Sequence, residues 1–358
     1  MKILFTGGGT LGPVTPLLAV AEAWRKQDST IQFVWVGTKN GPEKILIEQE
    51  RIPFYSIVVA RFPRYVSIEW LLLPFRFVFA CAQSFVILAI ERPQLIASAG
   101  GYTSVPVVVV GKLFGVRSWI HQSDVLPVMT NRMLAPFASV ITVAWSQTLD
   151  AFPKSKTHLI GNPVRSSVIN GSREHARKFF DMDASKPTVL IFGGGSGARW
   201  LNHMLKDIWQ ELSEVANVIH VTGKGKGIAN ESSVAHHYHV AEYLADEMKD
   251  ALAIADLVVC RAGTGTITEL AALKKAAILI PLPNHTQVAN ALAVSSGALV
   301  LDQNKITSED VLNEIRLLLV DDARRVAMGE AMSSLLKTDV ATEMIELLKQ
   351  IVKKKSAE

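Results

Sequence analysis

Two stretches of sequence decide the fold: Ile3-Leu4-Phe5-Thr6-Gly7-Gly8-Gly9 near the start of the chain, and Val189-Leu190-Ile191-Phe192-Gly193-Gly194-Gly195 about halfway along it. Each stretch is a short apolar run that enters a glycine turn and is followed by a helical pattern. Both halves of a doubly wound α/β protein begin in this way. We therefore predict two similar domains, each built on a parallel sheet.

Short apolar runs alternate with helical patterns along the rest of the chain. Strands of this kind are buried on both faces, which is typical of parallel sheets covered by helices. The other predicted strands are Ile31–Val36, Leu95–Ala97, Ser139–Val143, Val218–Val221, Leu257–Cys260 and Ala277–Ile280. The predicted fold class is α/β.

The length of 358 residues suits two domains that each bury a core. The segment Leu159–Arg165 contains Gly161-Asn162-Pro163, which ends regular structure and predicts a linker. We therefore place an N-terminal domain at 1–162 and a C-terminal domain at 163–338. We expect the last amphipathic segment, 339–358, to pack back on the first domain.

Composition excludes several classes of protein. Hydrophobic residues make up 49% of the chain and charged residues 20%, as in globular proteins. Cys81 and Cys260 are the two cysteines, which argues against a disulfide framework and for a reduced compartment. The first residues run directly into glycines, which leaves no room for a secretory apolar region. We therefore expect a protein that stays inside the cell.

The positive charge is concentrated in the first half of the chain. The net charge of +4 divides into +6 for residues 1–163 and −2 for the remainder. A basic N-terminal half suits an anionic membrane surface or a partner that carries a diphosphate. Nucleic acid is not expected as a partner, because no basic stripe interleaved with aromatic residues is present.

The first glycine turn, Gly7–Gly12, matches the G-x-G-x-x-G pattern of dinucleotide-binding proteins. That pattern also needs an acidic residue at the end of the second strand, where this chain has Val36-Gly37-Thr38-Lys39. The second glycine turn lacks the acid as well, so a dehydrogenase is disfavoured. A glycine turn at a helix start still suits a phosphate group. The alternative is a tight turn that binds nothing.

A third segment, Arg261–Glu269, follows a predicted strand and opens a helix. Its small residues and helix start suit a diphosphate, and Glu269 suits the hydroxyls of a ribose. The alternative is that Thr266-x-x-Glu269 is a capping box, which needs no ligand. Gln287 and Asn290 lie one turn apart on the next predicted helix, and their alternative is an exposed polar face.

The segment from Ser67 to Ile90 is strongly apolar. Its uncharged part, Phe77–Ile90, has fourteen residues, which we consider too few to span a bilayer. Since arginines flank it, we expect it to lie at a membrane interface with some residues buried and others facing the membrane. The arginines are Arg61, Arg64, Arg76 and Arg92.

A histidine and an aspartate lie close together where another predicted strand ends, in Trp119-Ile120-His121-Gln122-Ser123-Asp124. His121 and Asp124 are therefore candidates for proton transfer. No metal site or cofactor site is predicted, because the chain has no Cys/His cluster with ligand spacing and no DxD-type motif at a strand end.

In their order along the chain, these segments resemble the MurG family, whose members transfer N-acetylglucosamine to the lipid-linked muramyl-pentapeptide precursor of peptidoglycan. The resemblance covers nearly the whole chain. Its motifs are Gly8-Gly9-Thr10-x-Gly12 with Pro16, Gly100-Gly101-Tyr102-x-Ser104, His121, Gly161-Asn162-Pro163-Val164-Arg165, Gly193-Gly194 with Gly197-Ala198-Arg199, Cys260-Arg261-x-Gly263 with Glu269, and Gln287-x-x-Asn290-Ala291.

The resemblance implies a GT-B fold, in which two Rossmann-like domains face a cleft. It implies UDP-N-acetylglucosamine as the donor and a muramyl-pentapeptide linked through diphosphate to undecaprenol as the acceptor. The implied location is the cytoplasmic face of the cell membrane, as a peripheral protein. No metal and no cofactor are implied.

The resemblance also implies roles for single residues. Thr10, Leu11 and Gly12 would lie near the sugar and diphosphate of the donor, and Asp124 stands where the family has an asparagine that contacts the sugar. Arg165 would contact the diphosphate.

In the second half of the chain, Gly195 would contact the nucleotide and Leu244 would offer its backbone to the uracil. Gln287 would hold sugar hydroxyls. The implied cradle for the diphosphate and ribose is Thr264, Gly265, Thr266, Ile267, Thr268 and Glu269.

Two departures from the family pattern concern the catalytic base. Pro13 stands where the family has a histidine, and Gln122 stands where it has a glutamate. The residues that they replace are discussed in the family as proton acceptors or acceptor-site contacts. We therefore name Asp124 as the first candidate base and His121 as the second.

The reaction expected from the resemblance is an inverting single displacement, in which helix starts near Gly195 and Thr264, with Arg165, stabilise the leaving diphosphate. Two alternatives stay open. One is transfer of the sugar to a different lipid diphosphate. The other is a catalytically silent subunit that binds the donor within a membrane-bound envelope complex.

Overall fold

The computed structural model describes residues 1–58, 69–194, 197–227 and 237–357. It divides into two compact units. The N-terminal unit is Met1–Arg165 together with Asp339–Glu358, and the C-terminal unit is Ser166–Thr338. The division lies three residues beyond the predicted boundary, after the turn at Gly161, where φ is 111°.

Each unit is built on a parallel sheet. In the described part of the N-terminal unit the strands are β1 (Lys2–Thr6), β2 (Gln32–Thr38), β3 (Phe54–Ile57), β4 (Leu95–Ser98), β5 (Arg117–Gln122), β6 (Val140–Val143) and β7 (Thr157–Leu159). In that of the C-terminal unit they are β8 (Thr188–Phe192), β9 (Asn217–Val221), β10 (Tyr238–Ala241), β11 (Leu257–Cys260), β12 (Ala277–Leu279) and β13 (Leu299–Val300).

Helices connect the strands. They are α1 (Thr15–Gln27), α2 (Glu43–Gln49), α3 (Glu69–Glu91), α4 (Ser104–Leu113), α5 (Met129–Leu134), α6 (Ser166–Ile169), α7 (Arg173–Phe179), α8 (Arg199–Val215), α9 (Glu247–Ile254), α10 (Thr264–Ala272), α11 (Thr286–Ala293), α12 (Ser308–Leu319), α13 (Asp322–Leu335) and α14 (Ala341–Ala357). Short 3₁₀ turns lie at Ser146–Ala151 and Lys154–Lys156.

The two sheets have the same topology. The strand order is β3-β2-β1-β4-β5-β6-β7 in the first sheet and β10-β9-β8-β11-β12-β13 in the second. The order reverses between β1 and β4, and again between β8 and β11. Ligands of doubly wound proteins bind beyond the carboxyl ends of the strands at such a switch point. The two glycine stretches follow β1 and β8, so the predicted α/β class with two Rossmann-like domains is confirmed.

The first strand shows why the central strands are apolar throughout. Ile3 and Phe5 belong to one core, beside α1 and α14, whereas Leu4 belongs to the core on the other face, beside α3 and α4. All three residues have no exposed surface. A strand buried on both faces favours apolar side chains at successive positions, which is the pattern visible in the sequence.

The strands that the sequence did not predict are the edges of the sheets. β3 and β7 end the first sheet, and β10 and β13 end the second. Their residues are partly exposed, as in β7, where none of the three is buried. Because an edge strand is covered less than a central one, it carries no continuous apolar run.

The last helix, α14, belongs to the N-terminal unit although it follows the C-terminal one in sequence. Met344, Ile345 and Leu348 are buried in the core that contains β1 and α1. The ammonium group of Lys349 lies 6.0 Å from the ring centre of Trp24. The end of the chain therefore completes the core of the first unit.

The apolar segment of the first unit forms one continuous helix, α3, which runs through Pro74. Its part Leu71–Glu91 has 21 residues and a mean hydropathy of 1.9, and 22% of its most apolar window is buried. By length and composition alone it is sufficient to cross a membrane. The uncharged run of fourteen residues therefore underestimated the apolar length, because the helix begins before Phe77 and includes Arg76.

Candidate active site

Two glycine turns meet at the switch point of the first sheet. A Cβ atom placed on Gly7 would lie 3.0 Å from the carbonyl oxygen of Gly100, and one on Gly101 would lie 3.0 Å from the backbone nitrogen of Gly8. Gly101 also has φ at 95°, which other residues rarely adopt. The turn after β1 and the turn after β4 therefore pack backbone against backbone.

The carboxylate of Glu43, at the start of α2, lies beneath the first glycine turn. It accepts hydrogen bonds from the backbone N–H of Gly9, at 3.1 Å, and from the backbone N–H and the hydroxyl group of Thr38. Glu43 has no exposed surface. The sequence has no acid at the end of β2, but Glu43 on the next helix places a carboxylate there. This carboxylate accepts from the backbone N–H of Gly9, a group that could otherwise bind a phosphate.

The predicted donor contacts of this turn, Thr10, Leu11 and Gly12, lie between β1 and α1. Thr10 and Gly12 are exposed and Leu11 is half-buried. The carbonyl oxygen of Leu11 accepts from the N–H groups of Val14 and Thr15 at 3.0 and 3.2 Å, which fixes the entry into α1. The turn therefore presents its tip to solvent at the carboxyl edge of the sheet.

His121 is enclosed at the end of β5. Its Nδ1 lies 2.8 Å from the hydroxyl oxygen of Thr142, and its Nε2 lies 2.8 Å from Oδ1 of Asn162. Because Oδ1 of Asn162 can only accept, the proton of the ring is on Nε2, and the Thr142 hydroxyl, which accepts from Trp119, donates to Nδ1. Burial lowers the pKa of His121 to about 4, against the opposing effects of the Asn162 side chain and the Thr142 backbone.

The geometry therefore gives His121 a role other than that of the second candidate base. Neither ring nitrogen is open to a substrate, because both are hydrogen-bonded and the side chain has no exposed surface. The ring instead joins β5 to β6 and to the segment before Arg165.

Gln122 organises the loop that carries Asp124. Its Nε2 donates to the carbonyl oxygens of Asp124 and Leu126, at 2.8 and 3.1 Å, and its Oε1 accepts from the N–H of Val128 and from the side chain of Asn131. Asp124 is half-buried at the carboxyl edge of β5. The loop is thus held by the residue that replaces the glutamate of the family pattern.

Arg165 has partners within the N-terminal unit. Its guanidinium group pairs with Glu50, and its Nε lies 3.7 Å from Oε2 of Glu22. The side chain is 17% exposed. The structure therefore does not present Arg165 as the predicted diphosphate contact, because its charge is committed to two carboxylates on α1 and beyond the end of α2.

The second glycine turn, after β8, depends on small residues in the same way. Gly194 and Gly197 have φ at 79° and 66°. A side chain at Gly197 would collide with the carbonyl oxygen of Thr222, in the loop that follows β9. The predicted nucleotide contact Gly195 lies outside the described residues.

Lys226, which was not among the residues predicted from the sequence, lies beside this turn. The ammonium group of Lys226 lies 3.3 Å from the carbonyl oxygen of Gly197. The loop that carries it is fixed by Asn202 of α8, whose Nδ2 donates to the carbonyl oxygens of Thr222 and Lys226 at 3.0 Å each. The signal in the sequence is Gly223-Lys224-Gly225-Lys226, which begins two residues after the end of β9 and alternates glycine with lysine.

The third segment begins α10 at Thr264, with Gly263 as the N-cap residue. Thr266 is therefore inside the helix and is not its cap, so the capping-box alternative is excluded. Gly265, Thr266 and Glu269 are partly exposed, whereas Ile267 and Thr268 face the core. The start of α10 thus has one accessible face. Of the six residues predicted to cradle the diphosphate and ribose, only Gly265, Thr266 and Glu269 are accessible on it.

Two buried side chains hold this helix start. Nδ2 of Asn290, on α11, donates to the hydroxyl oxygen of Thr264 at 3.1 Å and to the carbonyl oxygen of Ala262 at 3.4 Å. Asn290 has no exposed surface, so it is not part of an exposed polar face. Thr268 donates from its hydroxyl to the carbonyl oxygen of Thr264 at 2.7 Å.

Arg261 connects three loops at the same edge. Its guanidinium group donates to the carbonyl oxygens of Ile280 and Pro281, at 2.8 and 3.2 Å, and lies 6.0 Å from the ring centre of Trp200, at the start of α8. Burial lowers its pKa. Arg261 therefore positions the turns after β11 and β12 relative to the start of α8.

The remaining predicted donor contacts follow two further strands. Gln287 begins α11 after β12, and its Oε1 accepts from the N–H of Leu282 at 3.0 Å. Leu244 follows β10 and is 8% exposed. Carboxyl ends of parallel strands lie at one edge of a sheet, so the turns after β8, β10, β11 and β12 share that edge.

The described residues contain no group of three or more His, Cys, Asp or Glu side chains that could hold a metal ion. The turns at the carboxyl edge of the C-terminal sheet offer a charged ligand backbone amides, helix starts and single side chains. Helix starts of this kind attract anions.

Two doubly wound units that share one strand order, each with glycine turns at its switch point, have the architecture of GT-B glycosyltransferases. Family models agree. The Glycosyltransferase family 28 N-terminal domain matches residues 3–143 and the Glycosyltransferase family 28 C-terminal domain matches residues 188–344.

Curated relatives and a solved structure are more specific. A protein of Clostridium perfringens, strain SM101, is 35% identical over 88% of this chain and 89% of its own length, and one of Clostridium kluyveri is 31% identical over 98% and 99%. Both are named UDP-N-acetylglucosamine–N-acetylmuramyl-(pentapeptide) pyrophosphoryl-undecaprenol N-acetylglucosamine transferase. The crystal structure of Acinetobacter baumannii MurG is 26% identical, with a TM-score of 0.73 over 98% of this chain and 99% of that one. The chain belongs to the MurG family.

The protonation of His121 makes a prediction about stability. Its pKa falls from 6.5 in the unfolded chain to about 4 in the folded one, so its contribution is complete above pH 6.5 and is lost as the pH falls towards 4. We expect His121→Gln, which cannot titrate, to lose about 2 kcal/mol less unfolding free energy than the wild type between pH 8 and pH 5. Urea unfolding at each pH, monitored through the hydrogen exchange of the β5 amides, measures this difference.

The exposed His203 on α8 supplies the control, because His203→Gln should leave the acid sensitivity of β5 unchanged. Equal acid sensitivity of His121→Gln and the wild type would contradict the buried, neutral state of His121.

Proposed function

We propose that the enzyme transfers N-acetylglucosamine from UDP-N-acetylglucosamine to the C4 hydroxyl of a muramyl-pentapeptide linked through diphosphate to undecaprenol. This converts lipid I to lipid II in peptidoglycan synthesis. The observation that carries the proposal is the start of α10, where Gly263 leaves the first turn without a side-chain cap and Glu269 lies one turn further on the accessible face. The names of the relatives supply the identity of the donor and the acceptor.

The donor is assigned to the carboxyl edge of the C-terminal sheet. The helix starts of α8 and α10 provide partial positive charge for the diphosphate, and Lys226 adds a full charge beside the second glycine turn. Glu269 accepts hydrogen bonds from the ribose, Gln287 binds sugar hydroxyls, and the backbone at Leu244 faces the uracil. In this assignment no metal takes part in the departure of UDP.

The acceptor is assigned to the N-terminal unit, where the turn Thr10–Gly12 and the loop of Asp124 lie at the same edge of the first sheet. The reaction inverts the anomeric centre in a single displacement. The acceptor hydroxyl attacks the anomeric carbon, its bond to UDP breaks, and the carboxylate of Asp124 takes the hydroxyl proton. Asp124 is preferred to His121 because the imidazole nitrogens are enclosed.

The membrane contact is assigned to an apolar patch on the N-terminal unit. Its α3 residues Phe75, Val78 and Phe79 are 74, 67 and 55% exposed, and Leu113, at the end of α4, is 81% exposed. Phe114 joins the two helices, because its ring centre lies 4.9 Å from that of Phe85. Exposed apolar patches of this kind mark membrane or protein contacts.

Cations lie beside this apolar patch. Lys112 precedes Leu113 on α4, Arg132 is exposed on α5, and Arg76 is on α3 itself. Apolar side chains with cations around them suit the interface of an anionic membrane. We therefore place the enzyme at the cytoplasmic face of the cell membrane, as a peripheral protein.

Transfer is tested with radiolabelled UDP-N-acetylglucosamine and a panel of lipid diphosphates. We expect label to enter the muramyl-pentapeptide lipid and not the lipids with other head groups. Label in another lipid would show that this lipid, and not the muramyl-pentapeptide lipid, is the acceptor. Binding of the donor without transfer to any acceptor, over a long incubation, would favour a silent binding subunit.

The same assay tests the base. We expect Asp124→Asn to lower kcat by roughly a hundredfold or more while the KM for the donor changes little, because a general base contributes about 10²–10⁴. Asp150→Asn, on an exposed 3₁₀ turn, is the matched control. Near-normal turnover of Asp124→Asn would remove Asp124 from this role.

Membrane binding is tested by sedimentation with vesicles that contain phosphatidylglycerol. We expect the double variant Phe75→Ser, Phe79→Ser to bind at least tenfold more weakly than the wild type, since it loses two exposed apolar side chains. The control replaces two exposed apolar residues of the C-terminal unit, in the double variant Leu317→Ser, Val326→Ser. Equal loss in both variants would argue against the apolar patch as the contact.

A further inference from the structure

A cavity of about 220 Å³ lies under α3 in the N-terminal unit. Its walls come from α3, α4 and α5, and they are almost entirely apolar. The residues used below are Leu73 and Phe77 of α3, Val105 of α4 and Met133 of α5. A cavity of this size exceeds the roughly 150 Å³ apolar cavity that accommodates benzene, so it can hold a short hydrocarbon segment.

One end of the cavity lies next to the glycine turns at the carboxyl edge of the first sheet. Tyr102, which lines it, directly follows Gly100 and Gly101, the glycines that pack against the first turn of the sheet. α4 begins two residues later, at Ser104, so this end adjoins a helix start at the carboxyl edge. An anionic head group suits this end and hydrocarbon suits the other.

The α3 wall belongs to the helix that carries the apolar patch, and the α5 wall reaches the surface. Leu73 and Phe77 line the cavity, while Phe75, Val78 and Phe79 on the same helix are exposed. Met133, on the α5 wall, is itself 41% exposed and follows the exposed Arg132. The cavity therefore reaches the surface at Met133, next to Arg132, one of the cations that we assign to the membrane contact.

We propose that this cavity is a subsite for the part of the acceptor's prenyl chain that adjoins the diphosphate. The proposal rests on the proposed function, because it assigns a seat to one part of that acceptor. A molecule with an anionic head and a hydrocarbon chain matches the polar end at Tyr102, the apolar walls and the opening at Met133 beside Arg132. Chain length then contributes to recognition, with roughly a fourfold gain in affinity for each methylene that is buried.

The test uses acceptor analogues that carry the same muramyl-pentapeptide diphosphate on a methyl group or on three isoprene units, in solution without vesicles. We expect the wild type to have a KM at least tenfold lower for the longer chain. Filling the cavity by Val105→Phe, or from the opposite wall by Leu73→Trp, should remove this preference and leave the KM for the short analogue within about twofold. If either folded variant keeps the full preference, the subsite is wrong.

A matched control separates the cavity from the membrane surface. Phe79→Ser changes the exposed face of α3 and not the cavity wall, so it should weaken binding to vesicles yet keep the chain-length preference. Loss of the preference in Phe79→Ser as well would overturn the assignment to the cavity.

A binding experiment keeps this proposal apart from the proposed function. A fluorescent three-isoprene prenyl diphosphate should bind the wild type and bind Val105→Phe at least tenfold more weakly, even if no sugar is transferred. Absence of transfer would then refute the function and leave the subsite standing. Equal competition by a short-chain phosphatidylglycerol would identify the occupant as a bilayer lipid and overturn the proposal.

Discussion

The contact on which the site depends is the approach of two backbone turns at each switch point. In the N-terminal unit, Gly101 leaves no room for a side chain against Gly8, and Gly7 leaves little against Gly100. In the C-terminal unit, Gly197 meets the carbonyl oxygen of Thr222. These approaches bring neighbouring loops to the carboxyl edge without side chains between them, so backbone amides and helix starts are the groups that remain for a ligand.

Buried polar side chains then fix the loops in place. Glu43 holds the first glycine turn, His121 and Gln122 hold the end of β5, and Asn290 with Arg261 holds the start of α10. Removing Glu43 would leave the N–H groups of Gly9 and Thr38 without their partner, at a cost of roughly 1–3 kcal/mol for each buried group. Asp124 in the N-terminal unit and Glu269 in the C-terminal unit are thus each carried by backbone that hydrogen bonds from buried side chains hold in place.

The sequence was sufficient for the central strands and the two glycine turns, because burial on both faces favours continuous apolar runs. It was insufficient for the edge strands and for contacts between distant residues. Glu43, on the helix after β2, accepts from the backbone of Thr38 at the end of that strand, and Arg165 forms ion pairs with Glu22 and Glu50. No local sequence pattern predicts such pairings. The capping-box alternative for Thr266 and Glu269 is wrong because α10 begins two residues before Thr266, with Gly263 as its N-cap residue.

The central claim is that the second glycine turn and the start of α10 bind one diphosphate. Hydrogen exchange of the full chain with and without UDP measures it most directly. The account predicts slower exchange in peptides that cover residues 192–202 and 263–270 together, with uridine, which lacks the diphosphate, giving much less protection. Protection confined to the N-terminal unit, or equal protection by uridine and UDP, would contradict it.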